Sequence, residues 1–105
     1  MTDKDLTITE DNSIDKTARL ILKGFVNSTN VNYLQKKLDS VLQTNCDRII
    51  VNMQNVSFLS SGGIRVLLMY YKIANGRKCS FYVENPSDNV KNVLGMIALD
   101  EMLLR

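Results

Sequence analysis

Two serines followed by two glycines, Ser60-Ser61-Gly62-Gly63, are the residues of this sequence best placed to do chemistry. Upstream, Ile49-Ile50-Val51-Asn52-Met53 is a short apolar run rich in β-branched residues. That pattern reads as a strand covered on both faces. Gln54 to Leu59 reads as a loop. Downstream, Ile64, Leu67, Leu68 and Tyr71 recur at helical spacing, predicting a helix from about Ile64. The serines therefore stand where a strand has ended and a helix opens. The first N–H groups of a helix lack intrahelical partners and carry partial positive charge. A hydroxyl there can cap the helix, or it can carry a phosphoryl group. Gly62 and Gly63 fit both readings, since they permit a tight turn and the close approach of a partner. Arg65, one turn beyond Ser61, can meet an anion or a partner carboxylate, or can simply be solvated.

Other chemistries need residues this chain lacks. It contains no histidine, which removes Ser-His and Cys-His pairs and the commonest metal ligand. A hydrolase nucleophile elbow needs a glycine two residues before its serine, where Phe58 and Leu59 stand instead. No lysine follows the glycines, so the turn is not a Walker-type phosphate loop. Nothing supplies a nucleophile and a general base together, and no enzyme, metal or cofactor is expected. Cys46 and Cys79 are far apart in sequence with no Cys-x-x-Cys pattern, and read as reduced thiols, Cys79 packing at a strand start. The net charge is +2 and the basic residues are scattered, so no nucleic-acid stripe is present. No apolar run reaches the length of a membrane span, and the polar N-terminus is not a signal peptide. A cytoplasmic protein without membrane insertion is the expectation.

The elements that position the serines follow from periodicity. Leu6 to Thr9 alternates like a half-exposed strand, and Thr17 to Phe25 places Ala18, Leu20 and Leu22 on one face. The two are close enough for a hairpin, with Gly24 allowing a bulge or close approach. Asn27-Ser28-Thr29-Asn30 is a cluster of capping residues before a helical stripe of Val31, Leu34, Leu38, Val41 and Leu42. The helix after the serine turn stops at Asn75-Gly76. Cys79 to Val83 is a short strand, and Asn85-Pro86-Ser87-Asp88 opens a helix with the stripe Val90, Val93, Leu94 and Ile97. Tyr70, Tyr71 and Tyr82 read as core or half-core. Met102 to Arg105 reads as a last short strand or a frayed end.

The order is β-β-α-β-α-β-α(-β), an α/β chain with a mixed sheet of four or five strands and about three helices. Its 105 residues form one domain. If Thr17–Phe25 and Ile49–Met53 run parallel, Asn27, Ser28 and Ser61 converge on one rim; otherwise the two turns are independent caps that never meet. The candidate partner-binding residues are Asn27, Ser28, Ser60, Ser61, Gly62 and Arg65.

These residues resemble the STAS domain, the module of sulfate transporters and anti-sigma factor antagonists. The resemblance covers nearly the whole chain. It is carried by Gly24-Phe25-Val26-Asn27, by Ile49 to Met53, by Val56-Ser57-Phe58-Leu59-Ser60-Ser61-Gly62-Gly63-Ile64-Arg65-Val66-Leu67-Leu68, by Asn85-Pro86-Ser87 and by Leu99-Asp100-Glu101-Met102. It implies that Ser61 accepts phosphate, with Ser60 as the second candidate. Ser60 stands where the family more often has Asp, and Gly62 where Ser or Ala is usual. The implied function is that of an anti-sigma factor antagonist. Unphosphorylated, it would bind an anti-sigma factor that is also a serine kinase. Phosphorylation would release that partner, and a PP2C-type phosphatase would reverse the change. The other function the resemblance admits is a scaffold or accessory subunit of a regulatory or transporter complex, without phosphorylation. Nothing in the sequence sets an oligomeric state.

Overall fold

The computed structural model describes residues 5–96. Seven elements follow in the order β1 (Leu6–Asp11), β2 (Thr17–Val26), α1 (Val31–Leu42), β3 (Arg48–Leu59), α2 (Ser61–Gly76), β4 (Ser80–Glu84) and α3 (Asp88–Met96). The strands form one mixed sheet in the order β1-β2-β3-β4. β1 pairs antiparallel with β2, whereas β2, β3 and β4 are mutually parallel. The four strands and three helices are those expected, and the fifth strand envisaged at Met102 to Arg105 lies outside the described residues.

The two parallel crossovers step in the same direction across the sheet. Connections of this kind are right-handed, which puts α1 and α2 on one face. The strand residues facing them are the core. Leu6, Leu20, Leu22, Ile49, Val51, Met53, Phe81 and Val83 are buried there with Leu34 and Leu38 of α1 and Leu67 and Tyr70 of α2. The opposite face is more open. Thr7, Thr9 and Lys23 are exposed on it, and Arg19 Nε pairs with Glu84 at 3.0 Å. α1 and α2 pack together and are tied by polar contacts. The Tyr70 hydroxyl donates to the Asp39 carboxylate, and it lies 3.3 Å from the Gln35 carbonyl. Burial, reinforced by the Asp39 carboxylate, pushes that hydroxyl up to about 12.

Three boundaries differ from the sequence reading. β3 does not end at Met53. It runs to Leu59, so the expected loop from Gln54 is strand. Its far half pairs with β2 through Asn55, Val56, Phe58 and Leu59, with irregular register either side of Lys23-Gly24. The pattern was hidden because Gln54, Asn55 and Ser57 are polar and exposed, which mimics a loop. α2 opens at Ser61 rather than Ile64. Its buried side is Gly63, Val66, Leu67, Tyr70 and Ala74, about one residue out of phase with the expected stripe. Ile64, Leu68 and Tyr71 are only half-buried, because this helix is apolar over much of its circumference and periodicity alone leaves its phase loose. β4 starts at Ser80, with Cys79 buried just before it. Gly24 has φ 118°, and a Cβ there would lie 2.1 Å from the Asp5 carbonyl oxygen, so the close approach expected at this glycine is real.

Candidate functional site

The C-terminal ends of β2 and β3 build the site. Val26 and Leu59 are register partners, and the Ser60 N–H donates to the Val26 carbonyl at 2.9 Å. Asn27 and Ser60 therefore leave the sheet side by side. The conditional convergence of Asn27, Ser28 and the serine turn on one rim is what parallel pairing produces.

The β2–α1 side of the rim is a closed polar lattice. The Asn27 carboxamide oxygen accepts from the Thr29 N–H at 2.9 Å, the Thr29 hydroxyl at 2.6 Å and the Asn30 N–H at 3.3 Å. The Asn27 N–H in turn donates to the Asn30 side-chain oxygen at 2.9 Å, and Asn30 Nδ2 donates to the Phe25 carbonyl at 2.9 Å. Asn30 is the N-cap of α1, but its side chain points back into the turn and is 1% exposed. Ser28 is exposed at the tip.

The β3–α2 side is built differently. Ser60 is the N-cap of α2, in extended backbone, and its hydroxyl accepts from the Gly63 N–H at 3.2 Å. This is the ordinary use of a capping serine. Ser61 is then the first helical residue, exposed, and its hydroxyl has no hydrogen-bond partner among the described residues. Capping thus falls to Ser60 and is not required of Ser61. Gly63 is required for packing, since a Cβ there would lie 2.6 Å from Leu59 Cδ1 and 2.9 Å from Val26 Cγ1. Gly62 is not, since the nearest atom to a Cβ would be Ser60 Oγ at 3.7 Å.

No acidic residue occupies the first turn of α2, so the positive end of its dipole is uncompensated. Arg65 is exposed one turn beyond Ser61. Two apolar side chains follow at the same spacing, Met69 and Ile73, each 37% exposed. Ser61, Arg65, Met69 and Ile73 form one outward ridge of roughly 18 Å at 1.5 Å per residue. Phe58, 52% exposed and only two residues before the cap, is the rim residue that sequence reasoning missed. Assigning it to a loop removed its orientation. Had β3 been extended to Leu59, its place between buried Val56 and Leu59 would have flagged it. Among the described residues no cluster of His, Cys, Asp and Glu could hold a metal ion, and no helix is long and apolar enough to cross a membrane.

Residues 10–105 match the family described as Mlab, STAS domain, and the chain belongs to the STAS domain family. No curated protein matches it in sequence. Among solved structures, an anti-sigma factor antagonist from Mycobacterium paratuberculosis is 18% identical, with a TM-score of 0.86 over 99% of this chain and 89% of that one. The anti-sigma factor antagonist SpoIIAA, in its unphosphorylated form, is 20% identical, with a TM-score of 0.82 over 94% of this chain and 86% of that one. A sulfate transporter family protein from Wolinella succinogenes is 17% identical, with a TM-score of 0.68 over 86% of this chain and 73% of that one. At these identities the likeness establishes a shared fold.

Proposed function

We propose that this chain is an anti-sigma factor antagonist, a protein-interaction switch set by phosphorylation of Ser61. The observation that carries the reading is the division of labour at the α2 entrance. Ser60 holds the helix end while the Ser61 hydroxyl is exposed and uncommitted. Unphosphorylated, the rim of Asn27, Ser28, Phe58, Ser60, Ser61, Gly62 and Arg65 docks on an anti-sigma factor that is also a serine kinase. Phe58, Met69 and Ile73 supply apolar area, and the small Gly62 admits a close surface. The kinase transfers the γ-phosphoryl group of ATP to Ser61 Oγ, the hydroxyl proton passes to a base on the kinase, and ADP leaves. A PP2C-type phosphatase hydrolyses the ester and restores the hydroxyl. Dependence on ATP places the cycle in the cytoplasm.

The physics of release is local. A phosphoserine carries roughly −1.5 to −2 charge at pH 7. On the free protein it sits in water at a helix N-terminus, within a turn of Arg65, and is tolerated. Against a close-fitting partner it must be desolvated. A loss of about 3 kcal/mol in binding is more than a hundredfold in affinity. Titration calorimetry of Ser61→Ala and Ser61→Asp against an anti-sigma factor with serine-kinase activity tests the switch. The alanine variant should bind like the parent and the aspartate variant at least tenfold more weakly. Equal binding of the two would refute it.

The likeness to a sulfate transporter family protein supports a second reading, a STAS scaffold or accessory subunit of a regulatory or transporter complex. On that reading Ser61 is a solvated helix residue. ATP with the kinase would then leave its mass unchanged.

A further inference from the structure

We propose that Cys46 and Cys79 are a reversible dithiol–disulfide pair that covalently closes the segment carrying the serine turn. The two cysteines are 33 positions apart in sequence, but the fold brings them together at the N-terminal ends of β3 and β4, the edge of the sheet opposite Ser61. Arg48 and Ser80 are register partners, and the Ser80 N–H donates to the Asp47 carbonyl at 2.9 Å. Cys79 immediately precedes Ser80, and Cys46 lies two residues before Arg48. Cys79 is a member of the buried core, and Cys46, half-buried, packs against that core. The Cys79 thiol is pushed up to about 11 by burial first, then by the adjoining Cys46 thiol with which it interacts directly, and by Asp47.

The two thiols differ in access. Cys46 lines a surface hollow of about 400 Å³ together with Lys16, Thr17, Thr44 and Asn45, whereas Cys79 is 5% exposed. Cys46 is thus the attacking thiol and Cys79 the resolving one. With a small-molecule disulfide as oxidant, the Cys46 thiolate attacks one oxidant sulfur, forming a mixed disulfide and releasing one thiolate. The Cys79 thiol, losing its proton to water, then attacks Cys46 Sγ and displaces the second thiolate. Two protein thiols and one oxidant disulfide become one protein disulfide and two small thiols. The raised ionisation threshold of Cys79 slows the second step at neutral pH, and that step speeds up as pH rises. The closed loop contains β3, Ser60, Ser61 and the whole of α2.

Intact mass and peptide mapping of the folded chain in oxidised glutathione, across pH 7 to 9, test the pair. The expected course is a transient single adduct on Cys46, then a monomer lighter than the reduced chain by two hydrogens, with Cys46 and Cys79 in one linked peptide. Its unfolding midpoint should rise by about 10 °C, since the link restricts the unfolded chain. Cys79→Ser should halt at the adduct and Cys46→Ser should not react while folded. A persistent adduct with Cys79 still a thiol, a disulfide-linked dimer, or no reaction would overturn the proposal.

Discussion

The entrances of α1 and α2 lie side by side on one rim and are written in the same small polar residues, yet they use them in opposite ways. At α1, Asn27 and Asn30 close on each other, on Thr29 and on the Phe25 carbonyl. The buried amide of Asn30 is consumed by structure. At α2, one serine does the capping and the next is left over. The lesson is that a run of cap-forming residues is not a site. The informative feature is a polar side chain that the helix end does not need.

That contrast can be broken at graded cost. The largest effect is expected for Asn30→Ala, which removes the buried side chain that holds both the Phe25 carbonyl and the Asn27 N–H. A loss of about 2–3 kcal/mol by urea denaturation is the expected result. Gly63→Ala comes next, at about 2 kcal/mol, because the added methyl meets Leu59 and Val26 at the strand ends. Gly62→Ala, one residue earlier, should stay within about 0.5 kcal/mol of the parent, since the methyl would make only an ordinary contact with Ser60 Oγ at 3.7 Å. The two serines sharpen the comparison further. Ser60→Ala removes a cap and should cost about 1 kcal/mol, whereas Ser61→Ala should change stability by less than about 0.5 kcal/mol. If the two alanine variants unfolded at the same urea concentration, capping would not distinguish them.

Much of this was legible in the chain. Strand-helix alternation gave the element order, and the alternation of Ala18, Leu20 and Leu22 against Arg19, Ile21 and Lys23 gave the correct buried face of β2. Composition could not say which serine capped α2, since either hydroxyl satisfies the same local rule. Only the backbone, with Ser60 extended and Ser61 helical, decides. The far half of β3 was illegible because its exposed Gln54, Asn55 and Ser57 carry no apolar signal, and pairing with β2 overrides their loop-like polarity. Phe58 was lost with it. The meeting of Cys46 and Cys79 depends on the register of β3 with β4, which no local pattern encodes.

In the proposed switch, the Ser61 hydroxyl and not that of Ser60 receives the phosphate. Phosphopeptide mapping of the protein isolated from its own cells, beside the same protein carrying Ser61→Ala, measures it directly. A single phosphate on Ser61 in the parent, and none in the variant, is the predicted result. Phosphate on Ser60 in both, or on neither serine in the parent, would contradict the switch.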